Sequence, residues 1–468
     1  MANANYLSIA ETLEGYRTKK LSPVEVVAAH AERAHALHGR LNAFHHLDCE
    51  SAIARARTVE KELAGHAPRK LSGIPLSVKS CVDVAGWPCP AGSLLRKDYV
   101  PTTDAVLVQR LEAAGAILLG NTNTPEYLMA YETDNRVMGK TSNPWNLEYS
   151  AGGSSGGESA AIASGCSMGG VGSDGGGSVR TPAHFCGICG LKPTPGRVPA
   201  TGHFPKGAGA FSWIGVVGPM ARTVADLRTL FKVMAGPDAG DAMSAPVPLR
   251  MITANELPGL RVGALESAAL GNATPETIAA VRRTADILAR SGFHVENFRM
   301  EKLDRALELW WYFFGPVIGG LIAEDFKGQE SLLSPMLAGY LEVAGREPAP
   351  TYESFHTACT DRDLVRADIL RQMKDVPVLL SPVSSKPAFR HGEGNYRQGD
   401  AHNYRDTMRY CQWLNLAGFP GLSLPMGKSP EGLPINVQLI GRPHEEELLL
   451  AVAEVIERER GAWQPPPI

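Results

Sequence analysis

The chain has 468 residues, 44% hydrophobic and 20% charged, with a net charge of −3 from 46 basic and 49 acidic side chains. That balance fits an ordinary globular protein with a large core and excludes a disordered or fibrous chain. No extended basic run stands out, so nucleic acid is not an expected partner.

The opening MANANYLSIAETLEGYRTKK has neither a basic start nor an apolar core segment, so no secretory signal is read there. Residues 1–70 read as helices. Ser22, Pro23 and Glu25 combine a capping box with proline at the first helical position, and that helix runs towards Leu41. SAIARARTVEKELAG is a second amphipathic helix, GIPLSVK (73–79) a strand, and DAVLVQRLEAAGAILLG a helix, glycine turn and buried strand. GESAAIASG reads as a short helix entered from a glycine loop. More helix is expected after Leu227, then a Pro/Ala-rich connector at about 236–258.

RVGAL, TPETIAAVRRTADILARSG and HVENF form a strand–helix–strand unit, with Thr274 capping and Pro275 in the first turn. WWYFFGPVIGGLIA (310–323) is too short to span a bilayer and is broken by Gly and Pro, so no membrane is expected. VPVLLSP and PINVQLIG are late strands, the second with Ile435, Val437 and Leu439 alternating with polar neighbours. HEEELLLAVAEVIERE closes the chain as a helix. Alternating strands and helices predict an α/β protein. With no repeat and no long linker, a single domain over 1–468 is expected, although length alone allows about three. Eight cysteines without a secretory signal do not form a disulfide framework, and a cytoplasmic location follows as the expectation.

Three short patterns invite functional readings and are set aside. GGSSG (152–156) fits a hydrolase nucleophile elbow, but NPWNLEYSA before it is not the apolar strand that an elbow needs. GVGSDG (170–175) fits a dinucleotide fingerprint, yet more glycines and Pro182 follow instead of a helix. CGIC (186–189) has no second pair to complete a zinc site, so buried inert thiols are the reading. No metal and no cofactor are expected.

Residues 150–180 are more informative taken together. They hold two glycine-flanked serine sites, around Ser154 and Ser178, separated by a short helix. Gly175, Gly176 and Gly177 run straight into Ser178, and such glycines let successive N–H groups converge on a negative oxygen. A flexible loop has the same composition, and the residues alone leave both readings open. The base is equally open. His184 lies six residues beyond Ser178, past a proline. Lys79 ends the strand IPLSVK with no acid until Asp83, and is either a strand-end lysine reaching solvent or a buried lysine of lowered pKa.

These segments resemble the amidase signature family, serine hydrolases that include fatty acid amide hydrolase. GIPLSVK, GGSSGGESAAIASG, GSDGGGSVRTPAHFCGICGLKPTPGRVP, GVVGPMARTVADL and NLAGFPGLSLPMG with GLPINVQLIGRP carry the resemblance in the family's order. It covers nearly all of 70–460 and is weakest from about 240 to 400. It implies one α/β/α domain around a large, mixed, twisted sheet: N-terminal helices over 1–70, a signature core over 70–235, a variable substrate-pocket region over 240–400 and a C-terminal core segment over 400–468. It also implies a Ser-cisSer-Lys set, with Ser178 as nucleophile, Ser154 as the bridging serine behind a cis peptide bond and Lys79 as base. The oxyanion donors would be the N–H groups of Gly175, Gly176, Gly177 and Ser178, with Ser155, Asp174 and Arg180 in support. Two positions depart from the family: Gly175 stands where many members carry Thr, Ile or Ala, and Thr181 where others carry an apolar residue or Gln.

The implied activity is amide hydrolysis through an acyl-enzyme, extending to esters and carbamates, on a small-molecule substrate. The five aromatic residues at 310–314 are either a core patch or a wall of the pocket; the second reading favours aryl amides and aryl carbamates. A glutamine-hydrolysing component of a tRNA-dependent amidotransferase is the alternative within the family. A non-catalytic binding protein on the same fold is the alternative outside it, and intact Lys79, Ser154 and Ser178 weigh against that. Homo-oligomerisation is left open.

Overall fold

The computed structural model describes residues 4–265, 273–394 and 401–468. Thirteen strands occur among them: β1 (Phe44–Leu47), β2 (Pro75–Lys79), β3 (Ile117–Thr122), β4 (Ser142–Asn143), β5 (Asn146–Ser150), β6 (Gly169–Asp174), β7 (Cys189–Lys192), β8 (Val216–Ala221), β9 (Arg261–Ala264), β10 (His294–Asn297), β11 (Val378–Pro382), β12 (Gly421–Lys428) and β13 (Pro434–Gly441). Eleven join one mixed sheet in the order β1-β3-β2-β6-β8-β7-β12-β13-β11-β9-β10, while β4 and β5 form a separate ribbon. β3, β2 and β6 are parallel neighbours; the strands from β8 to β11 alternate in direction; β9 and β10 are again parallel. β2 and β6 lie in register, Val78 opposite Val171, so the carboxyl ends of both strands open at the same edge. That edge is where parallel sheets place their ligands.

Strand alternation divides the core. Leu380 and Leu439 face the helices Val224–Met234, Pro275–Arg290 and Glu446–Arg460, in one apolar cluster with Leu76, Val78 and Val171. Their neighbours Leu379 and Ile440 face the other way, into a cluster with Trp310, Phe313, Tyr340 and Trp413 from the helical segments after β10 and the helix Ala401–Ala417. Beside it, the helices Gly156–Ala163 and Arg180–Cys186 pack Ala160, Ala161, Val179 and Ala183 against Met220 of β8.

The capping box at Ser22 forms as the sequence predicts, with Pro23 opening a helix that ends at Leu41. Four features differ from expectation. The N-terminal region is not wholly helical, since β1 pairs with β3 between two helices. β13 is buried along its whole length, polar positions included, because helices cover both faces. Thr274 opens its helix without a side-chain cap bond, its hydroxyl pairing instead with that of Thr277. The apolar segment is longer than 310–323: Leu303–Asp325 is a nearly continuous helix of 23 residues, apolar and long enough to cross a membrane. Its most apolar window is 61% buried in the protein, as in a core helix. A π-helical turn at Phe313–Val317 accommodates Pro316, which has no amide hydrogen to donate.

Candidate active site

Lys79 ends β2 fully buried, and its ammonium nitrogen lies 2.6 Å from Ser154 Oγ and 3.0 Å from Ser173 Oγ. Burial lowers its pKa from 10.5 to about 8, against the raising influence of Cys81, Asp174 and Glu158. The strand-end lysine is therefore not a solvent-seeking one. Ser154 follows a cis peptide bond from Gly153. Its loop is tied down at two carbonyls: Thr133 Oγ1 donates to Gly152 at 2.9 Å and Thr124 Oγ1 to Ser154 at 2.8 Å.

Beneath the lysine, buried Glu158 accepts from Ser77 Oγ at 2.5 Å and Thr122 Oγ1 at 2.8 Å. It joins β2, β3 and the helix that begins just after Ser155. Burial raises its pKa to about 8.

The second serine loop is stapled to the first. Ser155 donates its N–H to the Ser178 carbonyl at 3.2 Å. The Ser155 hydroxyl donates to the Ser173 carbonyl and accepts from the Ser173 N–H, each at 3.3 Å. Ser178 is 8% exposed and lines a cavity of about 20 Å³ together with Ser154, Ser173 and Gly175. The remaining walls include Leu128, Met129, His203, Phe211, Val216 and Phe314.

Each of the three glycines answers a different demand. A Cβ at Gly175 would make ordinary contacts, 3.7 Å from Phe314 and 3.9 Å from Phe211, so this position faces the cavity between two rings. A Cβ at Gly176 would fall 2.5 Å from Trp310 Cζ2, closer than atoms approach. Gly177 has a φ of +126°, open to glycine alone, and lies against Cys411.

Asp174 and Arg180 frame the turn. Arg180 meets both oxygens of Asp174 at 3.0 Å, with neither side chain exposed. Burial would raise the Asp174 pKa, but the Arg180 charge and hydrogen bonds, with Lys192 and Asn415, hold it well below the usual carboxylate range. Asp174 also accepts the N–H groups of Gly177 at 2.7 Å and Val179 at 3.1 Å. Arg180 is satisfied further by Gln438, Asn415 and the Cys411 carbonyl. The Gly177 N–H is thus committed to Asp174. Those of Gly175, Gly176 and Ser178 have no hydrogen-bond acceptor among the described residues.

His184 plays another part. Its Nδ1 accepts from the Asn436 N–H at 2.7 Å and its Nε2 lies 3.1 Å from the Lys386 carbonyl. Burial lowers its pKa to about 4, so it is a neutral brace with both nitrogens engaged. Cys186 and Cys189 are free buried thiols. GGSSG is a loop between the β4–β5 ribbon and a helix, and GVGSDG lies largely within β6, so neither set-aside motif has its proposed context.

The aromatic run divides between two roles. Trp310, Trp311 and Phe313 are buried in the core, while Phe314 lines the cavity, stacked on Trp310 with ring centroids 4.6 Å apart. Of the weakly matching segment 240–400, residues 266–272 and 395–400 lie outside the described residues.

Sequence reasoning did not assign Ser173, Glu158, Thr124, His203 or Asn415 to this site, and it placed Trp310 only within an aromatic run that is either core patch or pocket wall. Ser173 was legible, one residue before Asp174 in the same motif. Glu158 and Asn415 also stand inside segments that carry the family resemblance, but nothing local marks them as site residues. Thr124 and His203 come from segments whose local sequence carries no chemical signature.

Comparison with known proteins bears on what such a site does. The amidase family model matches residues 25–450. The A subunit of glutamyl-tRNA(Gln) amidotransferase from Roseiflexus sp. (strain RS-1) is 33% identical over 488 aligned positions, covering 98% of this chain and 97% of the relative. Among solved structures, 6-aminohexanoate cyclic dimer hydrolase complexed with substrate superposes with a TM-score of 0.86 at 27% identity, covering 99% of each chain. A chain from a vestigial protein complex, described as revealing the origins of an s-triazine catabolic enzyme, gives a TM-score of 0.86 at 30% identity, covering 98% of this chain and 100% of the other.

Proposed function

The chain belongs to the amidase signature family and is a hydrolase of carbon–nitrogen bonds other than peptide bonds, and from that premise we propose that Lys79, Ser154 and Ser178 form its catalytic relay. The observation that carries this reading is the 2.6 Å contact from buried Lys79 to Ser154, which shares one small cavity with Ser178. Neutral Lys79 accepts the Ser154 proton while Ser154 accepts that of Ser178. The freed Ser178 oxygen bonds to the substrate carbonyl carbon, whose electron pair moves onto the carbonyl oxygen. The N–H groups of Gly175, Gly176 and Ser178 stabilise that oxygen. Collapse of the intermediate breaks the C–N bond, and the relay in reverse protonates the leaving amine. Water then attacks the acyl-enzyme by the same proton path and releases the acid.

For the substrate, we favour an amide with a flat, apolar acyl or aryl group, with esters and carbamates as further substrates. Phe211 and Phe314 flank Gly175, and the lining includes no lysine or arginine among the described residues. Its one carboxylate, Asp174, is already paired with Arg180. An aryl ring removed from water gains roughly 2 kcal/mol at about 25 cal/mol per Å², some thirtyfold in binding. The second reading is glutamine hydrolysis within a multi-subunit, tRNA-dependent amidotransferase. The names of the curated relatives weigh towards it, since those at 31–34% identity are amidotransferase A subunits.

One set of measurements separates them. A fluorophosphonate probe should label the peptide carrying Ser178; label on Ser154 with Ser178 untouched would overturn the relay. On the isolated protein, kcat/KM for acetanilide and a phenyl carbamate should exceed that for acetamide and glutamine. Preference for glutamine, or turnover only with added partner subunits and tRNA, would establish the second reading.

A further inference from the structure

Peptide groups are planar, with C=O and the following N–H pointing in opposite directions. A donor that holds one carbonyl of the 174–178 turn therefore aims the next N–H. The structure supplies a donor for each. Asn415 Nδ2 holds the Asp174 carbonyl at 3.0 Å and so sets the Gly175 N–H. Trp310 Nε1 holds the Gly175 carbonyl at 2.9 Å and sets that of Gly176. Tyr131 Oη holds the Gly176 carbonyl at 2.8 Å, setting the Gly177 N–H that Asp174 receives. The Thr181 N–H holds the Gly177 carbonyl at 2.7 Å and sets that of Ser178.

Asn415 and Thr181 belong to segments that carry the family resemblance, and Tyr131 lies in sequence between two of them. Trp310 does not. It comes from a helix more than 130 residues away, in the part of the chain where family resemblance is weakest. Its fit is nevertheless tight: Gly176 leaves no room for a Cβ against the indole, and Phe314 stacks on its ring while reaching into the cavity. We infer that Trp310 is a positioning residue of the reaction, its indole N–H fixing the peptide plane that presents the Gly176 N–H to the oxyanion. It touches no reacting atom and acts through the Gly175–Gly176 peptide. The inference rests on the Ser178 relay proposed above.

The test is Trp310→Phe, which keeps an aromatic plate and deletes the N–H. We expect kcat for an anilide to fall about tenfold, with KM within about twofold and the apparent pKa of the pH profile unmoved, because Lys79 is untouched. Affinity for an arylboronate, which takes up the tetrahedral geometry on Ser178, should weaken by the same factor. Trp311→Phe deletes the same group one residue along, where the N–H goes to Glu347, and should leave kcat unchanged. If Trp310→Phe does not fold, benzothienylalanine at 310 retains the bicyclic shape without the N–H and should show the same loss. Wild-type kcat and boronate affinity in either replacement would overturn the inference, as would a change confined to KM, which would make Trp310 a substrate wall. Ser178→Ala run alongside keeps the two claims apart. If that variant retains turnover, the relay itself is wrong; if it is inactive while the Trp310 replacement is fully active, only the positioning role fails.

Discussion

If Lys79 works as a base, only its neutral form can accept the relay proton, so the rate should follow the unprotonated fraction and rise with pH. With a pKa of about 8, roughly 9% of the lysine is neutral at pH 7 and about 91% at pH 9, a tenfold span. At the ordinary value of 10.5 the neutral fraction at pH 7 would be about 0.03%, so burial raises the working fraction roughly 300-fold. The assay is kcat/KM for a nitroanilide, which has no titrating group in the window, followed by released nitroaniline from pH 6 to 10. The expected curve climbs to a plateau with an apparent pKa of about 8. Lys79→Ala should lose the alkaline limb together with most of the rate. Lys79→Arg should do no better, because a guanidinium stays protonated throughout. A flat profile from pH 6 to 9, or an alkaline limb that survives Lys79→Ala, would refute the assignment. His203 would then be the group to test, since it lines the same cavity, although burial lowers its pKa to about 4.

Two further substitutions probe the turn. Gly176→Ala puts a methyl group 2.5 Å from Trp310 Cζ2, so overpacking of about 1–3 kcal/mol should displace the turn and cut kcat at least ~10-fold. Gly175→Ala meets only ordinary contacts and should keep kcat within about threefold; equal loss in the two variants would mean that contact with Trp310 is not what sets the Gly176 effect. Asp174→Asn keeps the shape but leaves Arg180 buried without a counter-charge. It should cost about 3–5 kcal/mol, read as an earlier urea midpoint. An unchanged midpoint would mean that Gln438, Asn415 and the Cys411 carbonyl suffice for Arg180.

The elements best read from the sequence were those whose signal is local. The capping box at Ser22, the strand ending at Lys79 and the helix after Pro275 depend on neighbours within one turn or one pleat. β6 was missed for a physical reason. Its sequence, GGVGSD, has almost no β-branched character because close packing requires glycine: a Cβ at Gly170 would fall 1.9 Å from Glu158 Oε1 and 2.3 Å from the Ser77 carbonyl. In β13 the polar Asn436 and Gln438 alternate with apolar residues, a pattern that by itself suits a strand with one solvated face. Both are buried and paired, Asn436 with Ser423 and the Ile188 carbonyl, Gln438 with Arg180, Ser381 and two further carbonyls. No spacing rule places Gln438 beside Arg180, 258 residues away. The serines, the lysine and the glycine turn were legible through family motifs. The residues that orient them were not, since Trp310, Tyr131 and Asn415 reach the turn from 45 to 241 residues away through side-chain donors that no local spacing marks.

The stack of Trp310 on Phe314 has a consequence for how such an enzyme changes its diet. One ring of the pair faces the cavity, while the other anchors the Gly175 carbonyl. On the roles proposed above, selectivity and speed would be written on adjacent turns of one helix, with ring centroids 4.6 Å apart. Exchanging the helix for that of a relative with another preference would exchange the anchor as well, so a transplanted taste should arrive with a slower engine unless the indole, or an equivalent donor, travels with it. Laboratory diversification aimed at 314 alone, with 310 held as tryptophan, offers the shorter route to a new substrate at an undiminished rate.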